Sequence, residues 1–349
     1  MSDGEPIAAG GLADLHPAYF AMVMATGIVS IASHLLGFAR GAIALFALNA
    51  AAYVVLWALT LARVWRYPDR IIADLSHHGR SVGFFTTVAA TCVLGTQCLL
   101  IGNMWRVAAA LWITGIVLWA VMTYTIFTIL TVKATKPSLA EGMNGGWLVA
   151  VVAAQSVCVL GAQLASGYGP YEQPVHFFCL AMWLGGGMLY IWIISLIIYR
   201  YTFFPMSPAD LSPPYWVNMG AMAISTLAGT TLVAEAPRSP VLTDLLPFLK
   251  GLTLLFWSTA TWWIPMLVIL GIWRHVSRSF PLRYDPLYWG AVFPLGMYTA
   301  STFRLAYAID APYLLVIPNT FIYVAWGAWS LAALGLVGQL ATRPRTAAS

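Results

Sequence analysis

The sequence predicts an all-α integral membrane protein, ten transmembrane helices arranged as five helical hairpins with pseudo-fivefold symmetry about a central axis. Three observations predict it. Of the 349 residues, 60% are hydrophobic and 8% charged, with a mean hydropathy of +0.80, whereas soluble domains carry about 25% charge. Apolar runs long enough to cross a bilayer follow one another with only short polar breaks. The runs also pair into a two-helix unit that recurs roughly every 65 to 70 residues.

A helix rises about 1.5 Å per residue and the hydrocarbon core is about 30 Å thick, so a span needs about 20 mostly apolar residues. Reading apolar runs between charged or Pro/Gly-rich breaks places spans at 17–36, 41–62, 81–101, 107–130, 146–164, 175–199, 214–233, 247–272, 286–307 and 312–340. Residues 17–340 are thus expected to form a single membrane domain, with a short segment 1–16 before it and a tail 341–349 after it. Met1 to Asp14 carries Asp3, Glu5 and Asp14 and no Lys or Arg, so it lacks the basic flank of a cleaved leader. The first span is expected to remain as a helix.

One set of connections carries Arg63, Arg66, Arg70, Arg80, Lys133, Lys136, Arg200, Arg274, Arg278, Arg283, Arg343 and Arg345, twelve of the seventeen basic residues. The other set holds Arg40, Arg106, Arg238, Lys250 and Arg304. Short basic connections stay in the cytoplasm, which places both termini there, with the inner (plasma) membrane as the expected location. The net charge of +5 is spread over these connections and forms no continuous patch for nucleic acid.

The odd-numbered spans open alike: Pro17-Ala18-Tyr19-Phe20, Gly83-Phe84-Phe85, Gly145-Gly146-Trp147, Pro214-Tyr215-Trp216 and Pro286-Leu287-Tyr288-Trp289. Pro fits a first turn, where its missing N–H is not needed. Small and hydroxyl residues follow, among them Thr26, Gly27, Thr91, Gly95, Gln155, Ser225, Gly229, Gly296 and Thr299. Of sixteen tryptophans, only Trp147, Trp216 and Trp289 lie in odd spans. Small residues suit close helix packing or a lumen, and large amphipathic rings suit lipid and the interfacial belt. The odd spans are therefore expected to form an inner ring and the even spans an outer one.

Cys92, Cys98, Cys158 and Cys179 lie inside apolar runs without metal-ligand spacing and read as small core residues. The six histidines, including His34, His77-His78, His176 and His275, are scattered over different segments. No haem pair, metal cluster, phosphate loop or nucleophile motif stands out, so no enzyme activity, metal or cofactor is expected.

His16-Pro17-Ala18-Tyr19-Phe20 through Thr26-Gly27-Ile28, and Tyr288-Trp289-Gly290-Ala291-Val292-Phe293-Pro294, resemble the tellurite-resistance and C4-dicarboxylate transporter family. This TehA-like family is related to plant slow anion channels and to fungal malate and sulfite transporters. The resemblance implies five inner helices around a central pore, five outer helices, a homotrimer in the lipid bilayer, small inorganic or organic anions as substrates, and a pore-occluding Phe in the ninth span. By motif that residue is Phe293. Phe20, Thr26, Gly27, Phe85, Thr91, Gln155, Ser225 and Thr299 are the candidate pore-lining residues. Pro294 lacks an N–H and crowds the carbonyl of Gly290, so a kink is expected beside Phe293. Ala25 and Ala223 are expected to leave room for its ring.

No odd-span interior carries Lys or Arg at mid-membrane depth. Anion preference is then expected from hydroxyl donors, backbone dipoles and basic connections. Burial cost grows with the square of charge, which favours monovalent anions over dicarboxylates. Arg304, near the outer end of the ninth span, has two readings: contact with substrate at the outer mouth, or snorkelling and pairing with Asp310. Glu235 and Arg238 are placed near the same mouth. Two functions stay open, an anion channel with an aromatic gate and a proton-coupled carrier exporting C4-dicarboxylates or sulfite.

Overall fold

The computed structural model describes residues 11–342; Asp3, Glu5, Arg343 and Arg345, which entered the charge reading, lie outside them. Among the described residues the secondary structure is helical, without strands.

The repeat is visible first in how the odd-numbered helices begin. Pro17–Tyr19, Val82–Phe84, Gly145–Leu148, Pro213–Trp216 and Pro286–Tyr288 are each a short 3-10 turn running directly into a long α-helix. Backbone N–H groups in a first turn have no intrahelical acceptor and recruit capping side chains. His16 Nδ1 accepts from the Ala18 N–H at 3.1 Å, Asn144 Oδ1 from Gly146 at 2.8 Å, and Asp285 Oδ1 from Leu287 at 2.8 Å.

The long helices are α1 (Phe20–Leu35), α2 (Ala39–Arg66), α3 (Phe85–Leu100), α4 (Trp105–Val132), α5 (Val149–Leu164), α6 (Glu172–Phe203), α7 (Val217–Glu235), α8 (Leu246–Ile272), α9 (Trp289–Ala308) and α10 (Val316–Thr342). Four of the links from odd to even helices turn through a left-handed residue: Gly37, Asn103, Gly169 and Asp310 have φ of 85°, 51°, 54° and 54°. Such turns return the chain within a few residues and make each pair a hairpin.

Each odd helix packs on the next odd helix, and α9 closes the circuit on α1. Four of these five interfaces seat a glycine. A Cβ on Gly27 would stand 2.4 Å from Val93, on Gly95 2.4 Å from Leu160, on Gly220 2.7 Å from Pro294, and on Gly296 3.0 Å from Ile28. Small residues let helix backbones approach closely where no water-driven force assembles them.

Each even helix packs on its own odd partner and also leans on the next odd helix in the circuit. The two sets differ sharply in burial: 94% of the most apolar window of His78–Leu100 lies inside the molecule, against 17% for Trp105–Val132. Val54, Ile113, Trp192, Trp262 and Leu331 of the even helices face outward, as lipid contact requires.

Eight stretches are long and apolar enough to cross a membrane. One of them, Gly145–Phe203, contains both α5 and α6, and α9 lies outside the set. Its Pro294, Tyr298, hydroxyl residues and Arg304 lower its hydropathy.

The tryptophans correct one expectation. They do not serve only the lipid face. Trp112 Nε1 donates to the Val157 carbonyl at 3.0 Å, Trp183 Nε1 to the Ser225 carbonyl at 2.8 Å, Trp257 Nε1 to Thr302 Oγ1 at 3.0 Å and Trp329 Nε1 to Thr26 Oγ1 at 3.0 Å. Tyr53 of α2 makes the corresponding link to Thr91 of α3 at 3.0 Å. Every even helix is thereby tied to the next odd helix by an aromatic ring with a polar tip. A ring of this kind fills the apolar groove and still satisfies its N–H or O–H, which would be costly to leave unpaired in hydrocarbon.

Candidate functional site

We call the face where the odd helices start the N-face and the opposite one the C-face. A cavity opens at each. The N-face cavity is bounded by the openings of the odd helices, with His16, Met24, Thr86, Asn144, Ser212 and Gly290 in its wall. The C-face cavity is walled by all five odd helices and includes Ile28, Thr96, Gln163, Ile224, Met297 and Arg304. The two cavities share no lining residue.

Phe293 lies between them. Gly290 borders the N-face cavity and Met297 the C-face cavity, and Phe293 is three residues after the one and four before the other. At 100° per residue these three positions and Arg304 share one stripe of α9. The Phe293 ring is fully buried. At the same level the other odd helices carry Ala25, Ala89, Val152 and Ala221, all 0% exposed. Ala223 is fully buried too, but it is one residue, about 100°, from Ile224 on the cavity stripe. Pro294 sits inside α9, which continues helical to Ala308, with its ring against Gly220.

Residues 14–337 match the family described as SLAC1, voltage-dependent anion channel. The chain belongs to this family. An uncharacterized membrane protein of Mycobacterium tuberculosis is 41% identical over 155 residues, 44% of this chain and 77% of that one. An uncharacterized transporter of Methanocaldococcus jannaschii is 26% identical over 297 residues, 83% of this chain and 84% of its own. A sulfite efflux pump of Trichophyton rubrum is 24% identical over 351 residues, covering 92% and 89%. The SLAC1 family is one of anion channels and transporters, and membership in it gives this chain an anion transport function.

None of the eight residues expected from the sequence to line the passage borders either cavity. Phe20 packs edge-on against Tyr53 and Trp57 of α2, and Phe85 lies tilted at 45° against Phe127 of α4. Thr26 accepts from Trp329, and Thr91 is bonded to Tyr53. Gln155 Nε2 donates to the Trp183 carbonyl at 3.0 Å. Ser225 and Thr299 donate back to the carbonyls of Ala221 and Leu295, and Gly27 is filled by Val93. The hydroxyls of Thr26, Thr91, Ser225 and Thr299 and the Nε2 of Gln155 have partners on their own helix or on the outer helices, while the Gln155 Oε1 stays buried without one. The sequence signal that leads to the walls is the seven-residue spacing that starts at Gly290 within the aromatic-Pro motif and continues to Met297 and Arg304.

Charge is distributed unequally. Beside the N-face cavity Asp74 is shared by two arginines, with Arg63 Nη1 at 2.8 Å and Arg80 Nε at 2.5 Å. Burial opposes ionisation of Asp74, but hydrogen bonds from Arg80 and Arg63 hold its carboxyl below the usual range. His16, just outside the first span, is pushed down to about 4 by burial first and then by the Arg80 charge. Arg274 is buried, donates to the Leu211 carbonyl and lies 4.4 Å over the Phe280 ring. At the C-face, Glu235 is 3.8 Å from His176 and 3.8 Å from Arg238, and none of the three borders a cavity.

Proposed function

We propose that the chain is a pore for small, chiefly monovalent anions, crossing the membrane ten times as five hairpins with pseudo-fivefold symmetry, and that the Phe293 ring closes it. One observation carries this reading: Phe293 is buried on the stripe of α9 that runs from one cavity to the other. A phenyl ring across a narrow lumen blocks by bulk and by excluding water, since an ion without its shell meets a large barrier. Rotation of that ring opens the passage. The packing of Pro294 against Gly220 holds the backbone beside it.

Anions are drawn to the N-face by the basic connections and by the N-terminal ends of all five odd helices, each carrying a partial positive charge. Both termini lie on that cytoplasmic side of the plasma membrane, and a homotrimer assembles through even-helix surfaces, with one pore in residues 17–340 of each protomer. No Asp or Glu borders either cavity among the described residues. His16, pushed down to about 4 by burial, stays neutral and takes up no proton near pH 7. Both facts favour a channel over a proton-coupled carrier of C4-dicarboxylates. The sulfite efflux relatives make sulfite, as its monovalent form, a first anion to try.

The test is Phe293→Ala in planar bilayers. Conductance is expected to rise severalfold with the ranking of anions unchanged. Unchanged or reduced current from well-folded protein would end the gate reading.

A further inference from the structure

We propose that Arg304 and Gln163 form a binding site for a small oxyanion in the C-face cavity, a charged station on a path that otherwise has no fixed cation. The cavity is mainly apolar, walled by Ile28, Val159, Ile224 and Met297 among others. Four side chains in its wall carry conventional hydrogen-bonding groups: Thr96, Ser156, Gln163 and Arg304. The two hydroxyls are already used. Thr96 donates to the Cys92 carbonyl at 3.0 Å and Ser156 to the Val152 carbonyl at 2.7 Å.

The other two are not. Arg304 makes no ion pair or hydrogen bond among the described residues. The expected pairing with Asp310 is not made, because Asp310 lies beyond the helix in a left-handed turn and is exposed. The Gln163 Oε1 atom is buried without a partner. Oxygen and nitrogen of an amide are interchangeable by a flip, so this group can turn donors toward a guest anion.

A half-buried guanidinium without a carboxylate is costly unless something anionic joins it. Its planar fork of N–H donors fits two oxygens of one anion better than a single spherical ion. The ligand class is therefore a small oxyanion, such as nitrate, bisulfite or a monocarboxylate, rather than chloride. Arg304 stands eleven residues past Phe293 on the same helix, about 16 Å along the axis. An ion held there is outside the closed ring, poised to enter or just released. The site's position in transport rests on the pore reading; its chemistry does not.

The experiment titrates the detergent-purified full chain with sodium nitrate and sodium bisulfite, at ionic strength fixed with a bulky anion, and follows the thermal midpoint. Currents are recorded in parallel on the Phe293→Ala background. Oxyanions are expected to raise the midpoint saturably and chloride to do so more weakly. Arg304→Gln is expected to raise the half-saturating concentration about tenfold or more, the usual scale for losing a charge-assisted pair. Arg304→Lys, which keeps the charge and loses the fork, is expected to abolish the preference of oxyanion over chloride; it carries the test alone if the Gln variant does not fold. An unchanged half-saturation in folded Arg304→Gln, or an unchanged preference in Arg304→Lys, overturns the site. Arg304-dependent binding without any current would uphold the site while refuting the pore; current with binding indifferent to Arg304 would do the reverse.

Discussion

On the N-face side of Phe293, positive charge is spread: basic connections, two arginines around one Asp74, and the starts of five helices surround a cavity with several polar groups in its wall. On the C-face side the cavity wall is mainly apolar and its one charged side chain is Arg304, unpartnered among the described residues. A spread field raises the local concentration of any anion without selecting one, whereas a lone guanidinium in apolar surroundings can bind and discriminate. On the proposals above, collection and selection are divided between the two halves, with one ring between them.

Beyond removal of that ring, the largest effect is expected from the anion's charge. Nitrate or chloride should cross well ahead of succinate and malate in liposome flux, because neither half holds enough cationic charge to offset a dianion's dehydration. Preferential, saturable succinate flux would break the comparison by revealing a second cation in the path.

Next comes Asp74→Asn. It leaves Arg63 and Arg80 uncompensated and should lower stability by about 3 kcal/mol in chemical unfolding, the scale for breaking a buried pair. The carboxyl's lowered pKa means that its contribution is present above the ordinary carboxylate range and lost as pH falls through that lowered value. The same change should raise anion current drawn from the N-face and leave that from the C-face alone. An equal rise from both faces would show that the two halves are not independent.

A smaller effect is expected from Trp329→Phe, which removes the hydrogen bond to Thr26. About 1 kcal/mol should be lost from the thermal or chemical transition, with the order of permeant anions unchanged. A changed order would return Thr26 to the pathway. Near neutral pH the smallest effect belongs to His16, whose contribution emerges only as the medium is acidified. The folded protein keeps it neutral down to about 4 while the unfolded chain protonates near 6.5. Stability should therefore fall as pH drops between those values. His16→Asn, which keeps the cap on Ala18, should flatten that slope in melts at pH 7 and pH 5.

Much of the architecture was legible in the sequence because hydropathy and the Pro/Gly-aromatic openings report where a helix starts, and the same opening recurs in each hairpin. The orientation of side chains was not. Amphipathicity tells a reader which face of a helix is which only when one face differs from the other, and the odd helices are buried all round. Thr26 and Thr96 are both hydroxyls on buried odd helices, yet one faces Trp329 and the other a cavity. Within α9 the resemblance carried by the aromatic-Pro motif pointed to Phe293, which is buried between Gly290 and Met297 on one stripe, and regular spacing from it leads to Met297 and Arg304. The state of Arg304 was hidden by Asp310, six residues away in sequence but placed beyond the helix end.

The five aromatic links from even to odd helices act together as a hoop. Widening the ring like an iris would stretch the bonds of Tyr53, Trp112, Trp183, Trp257 and Trp329 at the same time. Turning one phenyl group stretches none of them. The molecule should therefore open with almost no change in its footprint in the bilayer, and its current should be indifferent to membrane tension.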